Sequence, residues 1–342
     1  MKTVLVTGGA GFIGSNFVEH LFKNRPDYNI ILLDALTYAG NPQNLPLEIR
    51  QSPRFEFWHG NVTNGEIVND LVARSEIVVH FAAESHVARS IFDNRIFFET
   101  DVMGTQVVSN AVVKARKTVE RFVHISTSEV YGTAVEAPMT EDHPLNPTTP
   151  YAAAKTGADR LVYSYWTTYE IPAVILRPFN QYGQRQHLEK VVPRFITSAL
   201  AGDPLTIHGD GRSRRDWGFV EDTCRAIDLA MHVPLERVVG QVINIGTGRD
   251  VEVRELARLV LEMVGRPATL SKNVSERPGQ VARHISSTEK AQTCLGWRPT
   301  TSLEDGLRQT IAWYKGNPAW WQPQEWMKLV PVKTQDGRIE YH

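Results

Sequence analysis

Cysteine is nearly absent: Cys224 and Cys294 are the only two in 342 residues. They lie far apart and are read as small packing residues, not as a disulfide or a metal pair. HxxxH and CxxC clusters are missing, and His59, His124 and His208 show no ligand spacing, so no metal site is expected. No apolar run approaches the length that crosses a bilayer, which argues against a membrane partner. Excess charge is lacking too. Lys and Arg number 37 against 38 Asp and Glu, a formal net charge of −1, so nucleic acid is not an expected partner. Repeats and low-complexity stretches are absent. Thr3–Thr7 runs straight into glycines without a signal-peptide pattern, and a cytoplasmic protein is expected. With 42% hydrophobic and 22% charged residues the chain is ordinary globular material, long enough for one large or two interleaved domains.

What is present begins at the first residues. Thr3-Val4-Leu5-Val6-Thr7 reads as a buried strand, and Gly8, Gly11 and Gly14 follow at three-residue spacing with Phe12 and Ile13 between them. Phe12, Ile13, Phe17, Val18, Leu21 and Phe22 then fall on helical spacing. Strand, glycine turn and helix place backbone N–H groups and a positive helix end where a pyrophosphate sits. A second strand, Asn29–Leu33, ends in Asp34, a partner for a ribose 2′-hydroxyl. A carboxylate there repels a 2′-phosphate, so the expected cofactor is NAD, not NADP.

Further strand-like runs fall at Phe55–Trp58, Ile77–Phe81, Phe122–Ser126 and Ala173–Arg177, with helices between them near Ala111–Lys114 and Ala152–Tyr165. This alternation predicts an α/β fold, a Rossmann-type doubly wound parallel sheet with its ligands at the strand carboxyl ends. From Asn180 the character changes. A helix is read at Pro193–Leu200, a strand at Leu205–His208, a turn at Gly209-Asp210-Gly211, a helix at Arg254–Val264 and a last helix at Leu303–Tyr314. Val242–Gly246 reads as a strand returning to the main sheet. The expected organisation is an NAD-binding domain over 1–179 with a returning segment about 215–248. A smaller interleaved C-terminal substrate domain takes 180–214 and 249–326, and 327–342 is a polar, exposed tail. Five tryptophans near the C-terminus, Trp297 to Trp326, are assigned to packing.

Tyr151 and Lys155 stand four apart on one helix face, behind Thr149 as N-cap and Pro150 at the first helical position. An ammonium beside a phenol lowers its pKa, which suits a base that takes a proton from a hydroxyl as hydride leaves the same carbon. Such pairs are common on helix surfaces, and alone this one says little. Thr127, Ser128 and Glu129, two dozen residues earlier at a strand end, add two hydroxyls and a carboxylate. Ser126 is assigned a structural role, as is His80 within its strand; His86 is placed at the cleft mouth.

Taken together, Gly8–Gly14, Asp34, His80–Ala83, Ser126–Tyr131 and Tyr151/Lys155 resemble the extended short-chain dehydrogenase/reductase superfamily. Within it the chain is most similar to nucleotide-sugar 4,6-dehydratases of the dTDP-glucose type. Leu33–Asn41, Ala82–Val87, Gly209–Trp217, Glu189-Lys190, Arg277-Pro278-Gly279 and Gly296–Pro299 carry the match over roughly residues 1–320. The resemblance implies a closed redox cycle on a nucleoside-diphosphate hexose. Tyr151 takes the C4 hydroxyl proton, Thr127 bonds the C4 oxygen, Glu129 takes the C5 proton, water leaves C6 and hydride returns there. It places Asn61, Val62, Ala82 and Ala83 with the dinucleotide. Ser85, His86, Asn180, Lys190, Arg215, Asn244 and Arg283 fall to the sugar nucleotide, while Arg212 and Arg214 are left as a solvated face. It also implies a homodimer built on the helices near Val107–Val113 and Ala158–Trp166.

The chain departs from the dTDP-glucose pattern at Ser128, where those enzymes carry an Asp that protonates the leaving hydroxyl, and at Ala88 and Asn61, where they usually carry Asp. Thr-Ser-Glu also occurs in GDP-mannose 4,6-dehydratases and in UDP-glucuronate decarboxylases. Epimerase and decarboxylase readings therefore stay open beside dehydration, as does a non-catalytic NAD-binding regulator.

Overall fold

The computed structural model describes residues 1–276, 279–333 and 337–341; Arg277 and Pro278 lie outside the described residues. Six strands come first: β1 (Lys2–Thr7), β2 (Tyr28–Asp34), β3 (Phe55–His59), β4 (Ile77–His80), β5 (Arg121–Ile125) and β6 (Ala173–Pro178). The chain then leaves their sheet for β7 (Asn180–Tyr182), β8 (Leu205–His208) and β9 (Arg214–Phe219), and β10 (Val242–Ile245) returns beside β6. The result is one parallel sheet in the order β3-β2-β1-β4-β5-β6-β10. Strand order reverses between β1 and β4, so a crevice opens at the carboxyl end of β1, where Gly8 follows.

Strand residues alternate between two cores. Val4 and Val6 pack with Phe17, Leu21, Ile227 and Met231 on one face. Leu5 packs with Ile31, Val78, Val108, Val112 and Val162 on the other. Because both faces are covered, the strands read as continuous apolar runs.

β9 was expected inside the returning segment but pairs instead with β7 and with β11 (Asp250–Glu252) in a small sheet. The return begins at the helix Val220–His232, whose Ile227 and Met231 supply apolar contacts against the first helix. β8 pairs with β12 (Ser271–Val274), and a third core gathers Phe195, Trp217, Leu256, Leu307 and Tyr314 beneath these strands. Beyond the helix Leu303–Gly316, expected to be the last, come two short helical segments, Pro318–Trp321 and Gln322–Lys328. The tail is not simply exposed: β13 (Pro331–Lys333) pairs with β14 (Ile339–Tyr341), and Val330 is buried against Ala88. An apolar residue at that point finds an uncovered helix face, which a reading of the tail alone does not reveal.

One buried ion pair ties the main sheet together. Arg177 in β6 donates from Nε and Nη2 to the Asp159 carboxylate, both at 2.8 Å, and from Nη1 to the Tyr131 hydroxyl at 2.8 Å. Ser126 Oγ donates to the same carboxylate at 2.7 Å, and the Tyr131 hydroxyl donates to Asn244 Oδ1 in β10 at 2.7 Å. The paired guanidinium and hydroxyl hold the Asp159 carboxyl well below the usual range despite its burial. Removing one partner strands the other charge in the interior. Asp159→Ala is expected to cost about 3–5 kcal/mol, read as a lowered urea midpoint; a loss below ~1 kcal/mol would mean that solvent reaches Arg177.

Candidate active site

The cleft starts at the glycine turn. Gly8 has φ +71°, and a Cβ there would stand 2.6 Å from the Ala82 nitrogen, so β1 and the β4 end approach closely. A Cβ on Gly14 would overlap the Gly8 carbonyl, whereas one on Gly11 would meet nothing nearer than 3.4 Å. Two glycines thus serve packing, while Gly11 heads the helix Phe12–Asn24 and leaves room over its N-terminus. Gly8, Gly11, Phe12, Ile13 and Gly14 all line the cleft. Asp34 lines it too, accepting from the Ala10 nitrogen at 2.9 Å and the Leu36 nitrogen at 2.8 Å. Burial pushes its carboxyl up, and those two N–H groups pull it back. Asn61 and Val62 after β3, and Ala82 and Ala83 after β4, complete this end. The cradle and its acidic rim fit a dinucleotide with a free ribose diol.

The chemistry-bearing side chains meet in the middle. After β5, Thr127 caps the turn Ser128–Tyr131, its Oγ1 accepting from the Glu129 nitrogen at 3.2 Å. The helix Pro150–Tyr169 is capped by Thr149, which accepts from the Ala152 nitrogen at 3.2 Å. Tyr151 and Lys155 are both buried and line the cleft with Thr127, Ser128 and Glu129. Lys155 Nζ donates to the Ile125 carbonyl at 2.8 Å, which locks the helix to the β5 end. Ser126 is bound to Asp159, and His80 spans Thr7 and Thr105 at 2.6 and 3.0 Å.

Electrostatics correct one expectation. The Tyr151 phenol is not lowered by Lys155 in this structure; burial, Asp101 and Glu129 push it up, opposed by the Thr127 hydroxyl. Burial also pulls Lys155 down, against Asp101 and Asp159, and its ammonium is spent on the Ile125 carbonyl. Spacing on a helix face sets proximity, but not which groups share the buried volume.

At the far end, Asn180 lines the cleft with its Oδ1 buried and, among the described residues, without a hydrogen-bond partner. Arg215 in β9 is buried there, donating to the Arg214 carbonyl at 2.9 Å. Lys190 Nζ donates to the Ser85 carbonyl at 2.6 Å, and His86 caps the helix Val87–Phe92, accepting from the Arg89 nitrogen at 3.3 Å. Two expected residues are not in the cleft lining. Asn244 is a core amide between Tyr131 and the Met139 carbonyl, because β10 lies outside β6 in the sheet. Arg283 is drawn to Asp250, Nε to Oδ2 at 2.6 Å, where Arg214 binds as well. Arg214, read as solvated, is tied down; Arg212 is mostly exposed.

Several residues escaped the sequence reading. Arg89 binds the buried Glu189 at 2.8 Å and lies over the Tyr38 ring at 4.5 Å. His284 reaches Ser128 at 3.3 Å from an irregular segment that gave no signal. Asp101 is buried in the π-helical turn Phe98–Gly104, with Oδ1 on the Glu84 nitrogen at 2.8 Å. Its signal was a lone carboxylate among apolar positions of a helix.

The chain matches the model of the family described as GDP-mannose 4,6 dehydratase over residues 5–310. It belongs to that family. Among its relatives, the low-salt glycan biosynthesis protein Agl12 of Haloferax volcanii is 44% identical, the alignment covering 92% of this chain and 99% of that one. The structure of DesIV, a dTDP-glucose 4,6-dehydratase from Streptomyces venezuelae solved with NAD bound, superposes at TM-score 0.90. It is 40% identical, over 94% of this chain and 100% of that one. A UDP-glucuronic acid 4-epimerase from Bacillus cereus, also solved with NAD, reaches TM-score 0.85 at 31% identity over 92% and 99% of the two chains. Family membership thus fixes the scaffold, and different activities share it.

Asp101 gives a prediction with a definite sign. Burial pushes its carboxyl up to about 8, with Lys155 pulling the other way. From about pH 4 to about pH 8 the unfolded chain has released this proton and the folded one has not. Stability therefore falls as pH rises through that window, by at most ~1.4 kcal/mol per unit. Asp101→Asn should be more stable than wild type at pH 8 and less distinctly so at pH 5. Urea midpoints at the two pH values check this; an equal difference at both would count against it.

Proposed function

We propose that the chain is an NAD-dependent nucleotide-sugar 4,6-dehydratase, converting a nucleoside-diphosphate hexose to its 4-keto-6-deoxy form. The observation that carries this reading is one cleft with three zones. A glycine cradle with Asp34 lies at one end, Tyr151, Lys155, Thr127 and Glu129 in the middle, and Asn180, Lys190 and Arg215 at the other. NAD, when bound, accepts hydride from the sugar C4 and returns it to C6. Tyr151 takes the C4 hydroxyl proton, and Lys155, one turn behind it, holds that helix to the β5 end through the Ile125 carbonyl. Thr127 hydrogen-bonds the C4 oxygen. The resulting 4-keto group makes the C5 proton acidic, and Glu129, on the turn after β5, takes it. Asn180, donating from its amide Nδ2, and the cations Lys190 and Arg215 hold the diphosphate. A regulator that only sensed NAD would need none of the middle zone.

Incubation with dTDP-, UDP-, GDP- and CDP-hexoses is expected to convert at least one to a product lighter by one water, with no net reduced cofactor. A changed stereocentre at unchanged mass would make the protein an epimerase, and carbon dioxide from a uronate a decarboxylase. Glu129→Gln should abolish dehydration while C4 oxidation, followed as reduced-nicotinamide absorbance, persists. Equal loss of both would remove Glu129 as the C5 base.

The homodimer belongs to the same reading, although only part of the helices near Val107–Val113 and Ala158–Trp166 faces outward. Val108, Ala111, Val112, Ala158 and Val162 are buried within the chain itself. Phe92, Ile96, Phe98, Met103, Tyr163 and Tyr169 are exposed instead, and a second copy covering them is the economical occupant. Light scattering should return twice the 38.5 kDa chain mass; a monomer at micromolar concentration would overturn it.

A further inference from the structure

A serine hydroxyl is too weak an acid to protonate a departing hydroxyl unaided, and Ser128 stands in the cleft beside the C5 base. What lies behind it is unusual. His284 is fully buried, and its Nδ1 is 3.3 Å from Ser128 Oγ and 3.9 Å from Glu129 Oε1. Its Nε2 is 2.7 Å from the Gly132 carbonyl. A carbonyl only accepts, so Nε2 carries a hydrogen, and Nδ1 is the nitrogen that gains or loses a proton facing Ser128 and Glu129. The Phe179 ring meets the imidazole edge-on at 5.9 Å and fixes its plane. Ser128 Oγ is thus a single oxygen between an imidazole and the cleft.

We propose that His284 is a proton-relay residue acting through Ser128, and that the pair supplies the proton on which the C6 hydroxyl departs. The inference rests on the dehydratase reading and deepens it. The step balances without any redox change. The C5–H bond breaks and its proton goes to Glu129, while the electron pair forms the C5–C6 double bond. The C6–O bond breaks as that oxygen takes the Ser128 proton and leaves as water, and Ser128 Oγ takes the Nδ1 proton of the imidazolium. His284, left neutral, is reprotonated from solvent, to which the proton collected by Tyr151 is returned.

The geometry also times the transfer. While Glu129 is ionised, its carboxylate favours the imidazolium; once it holds the C5 proton, that support is withdrawn and His284 becomes a stronger acid as the leaving group needs one. Burial pulls the His284 imidazole down, and Arg215 and His143, the other charged or titratable neighbours, act in the same direction, against the support that Glu129 and the Gly132 carbonyl give the imidazolium.

The test separates elimination from oxidation. With dTDP-glucose, or the panel member that wild type dehydrates fastest, His284→Gln is expected to lower dehydration ~100-fold. Rapid mixing should show C4 oxidation at near the wild-type rate, so reduced nicotinamide accumulates. The 6-deoxy-6-fluoro analogue, whose leaving group has less need of a proton, should be turned over almost as fast by the variant as by wild type. Ser128→Ala, which leaves the imidazole in place, should behave alike, and Ser128→Asp in the His284→Gln background should recover much of the lost rate. Undiminished dehydration in His284→Gln would overturn the relay and leave Glu129 to serve both steps. Equal losses on the hydroxyl and fluoro substrates would reduce His284 to a packing role. Wild type that removes water from no sugar nucleotide would overturn the dehydratase reading itself, and the relay with it.

Discussion

The buried pairing of Asp159 with Arg177 is the constraint on which the site depends. Neither charge is stable alone in the interior, so each must keep the other within hydrogen-bond reach. Asp159 rides on the Tyr151 helix one turn beyond Lys155, and Arg177 lies in β6 three residues before Asn180. Through Ser126 and Tyr131 the same network grips both ends of the Thr127–Glu129 stretch. A fixed register between that helix and those strand ends is what places a phenol, an ammonium, a hydroxyl and a carboxylate around one volume. Positional tolerance at such sites is about half an ångström, and a satisfied ion pair enforces it better than apolar packing does.

Local signals were legible in the sequence because their cause is local. The glycine turn, the Asp34 strand end, the Thr149 cap and the Tyr151/Lys155 spacing each follow from steric or hydrogen-bonding demands within a few residues. The parallel sheet was legible for the same reason, since strands covered on both faces must be continuously apolar. Asn244 and Arg283 fall outside the cleft lining because their surroundings depend on strand order and, for Arg283, on a carboxylate far along the chain, Asp250. Nothing within ten residues of either encodes that. His284 and Asp101 are the converse case, invisible as motifs and informative only once folding sets them against Ser128 and Lys155.

The Lys155 result shows the limit of pairwise reasoning about charge. Four apart on a helix, a lysine and a tyrosine are neighbours, yet the lysine answers first to the Ile125 carbonyl and to Asp101 and Asp159. Burial acts on all of them at once, raising the acids and lowering the base. The site is a set of groups held away from their ordinary proton affinities by scarce water, and a bound ligand changes that balance by displacing what water remains.

The threading of β10 has a consequence for how the molecule can move and be re-engineered. The polypeptide crosses from the large sheet to the small one after β6, comes back after β9 and crosses again after β10. It returns once more at Ala291–Trp297, packed in the first core, and leaves again for Leu307 and Tyr314; at least five covalent bridges therefore span the two halves, and rotation about any one is blocked by the others. Gating at the cleft falls to loops and side chains rather than to jaws swinging on a pivot. By the same token, no single splice point exists at which a foreign specificity module could be grafted: an exchange must rewrite several junctions together, or it will sever the sheet that carries the cofactor cradle.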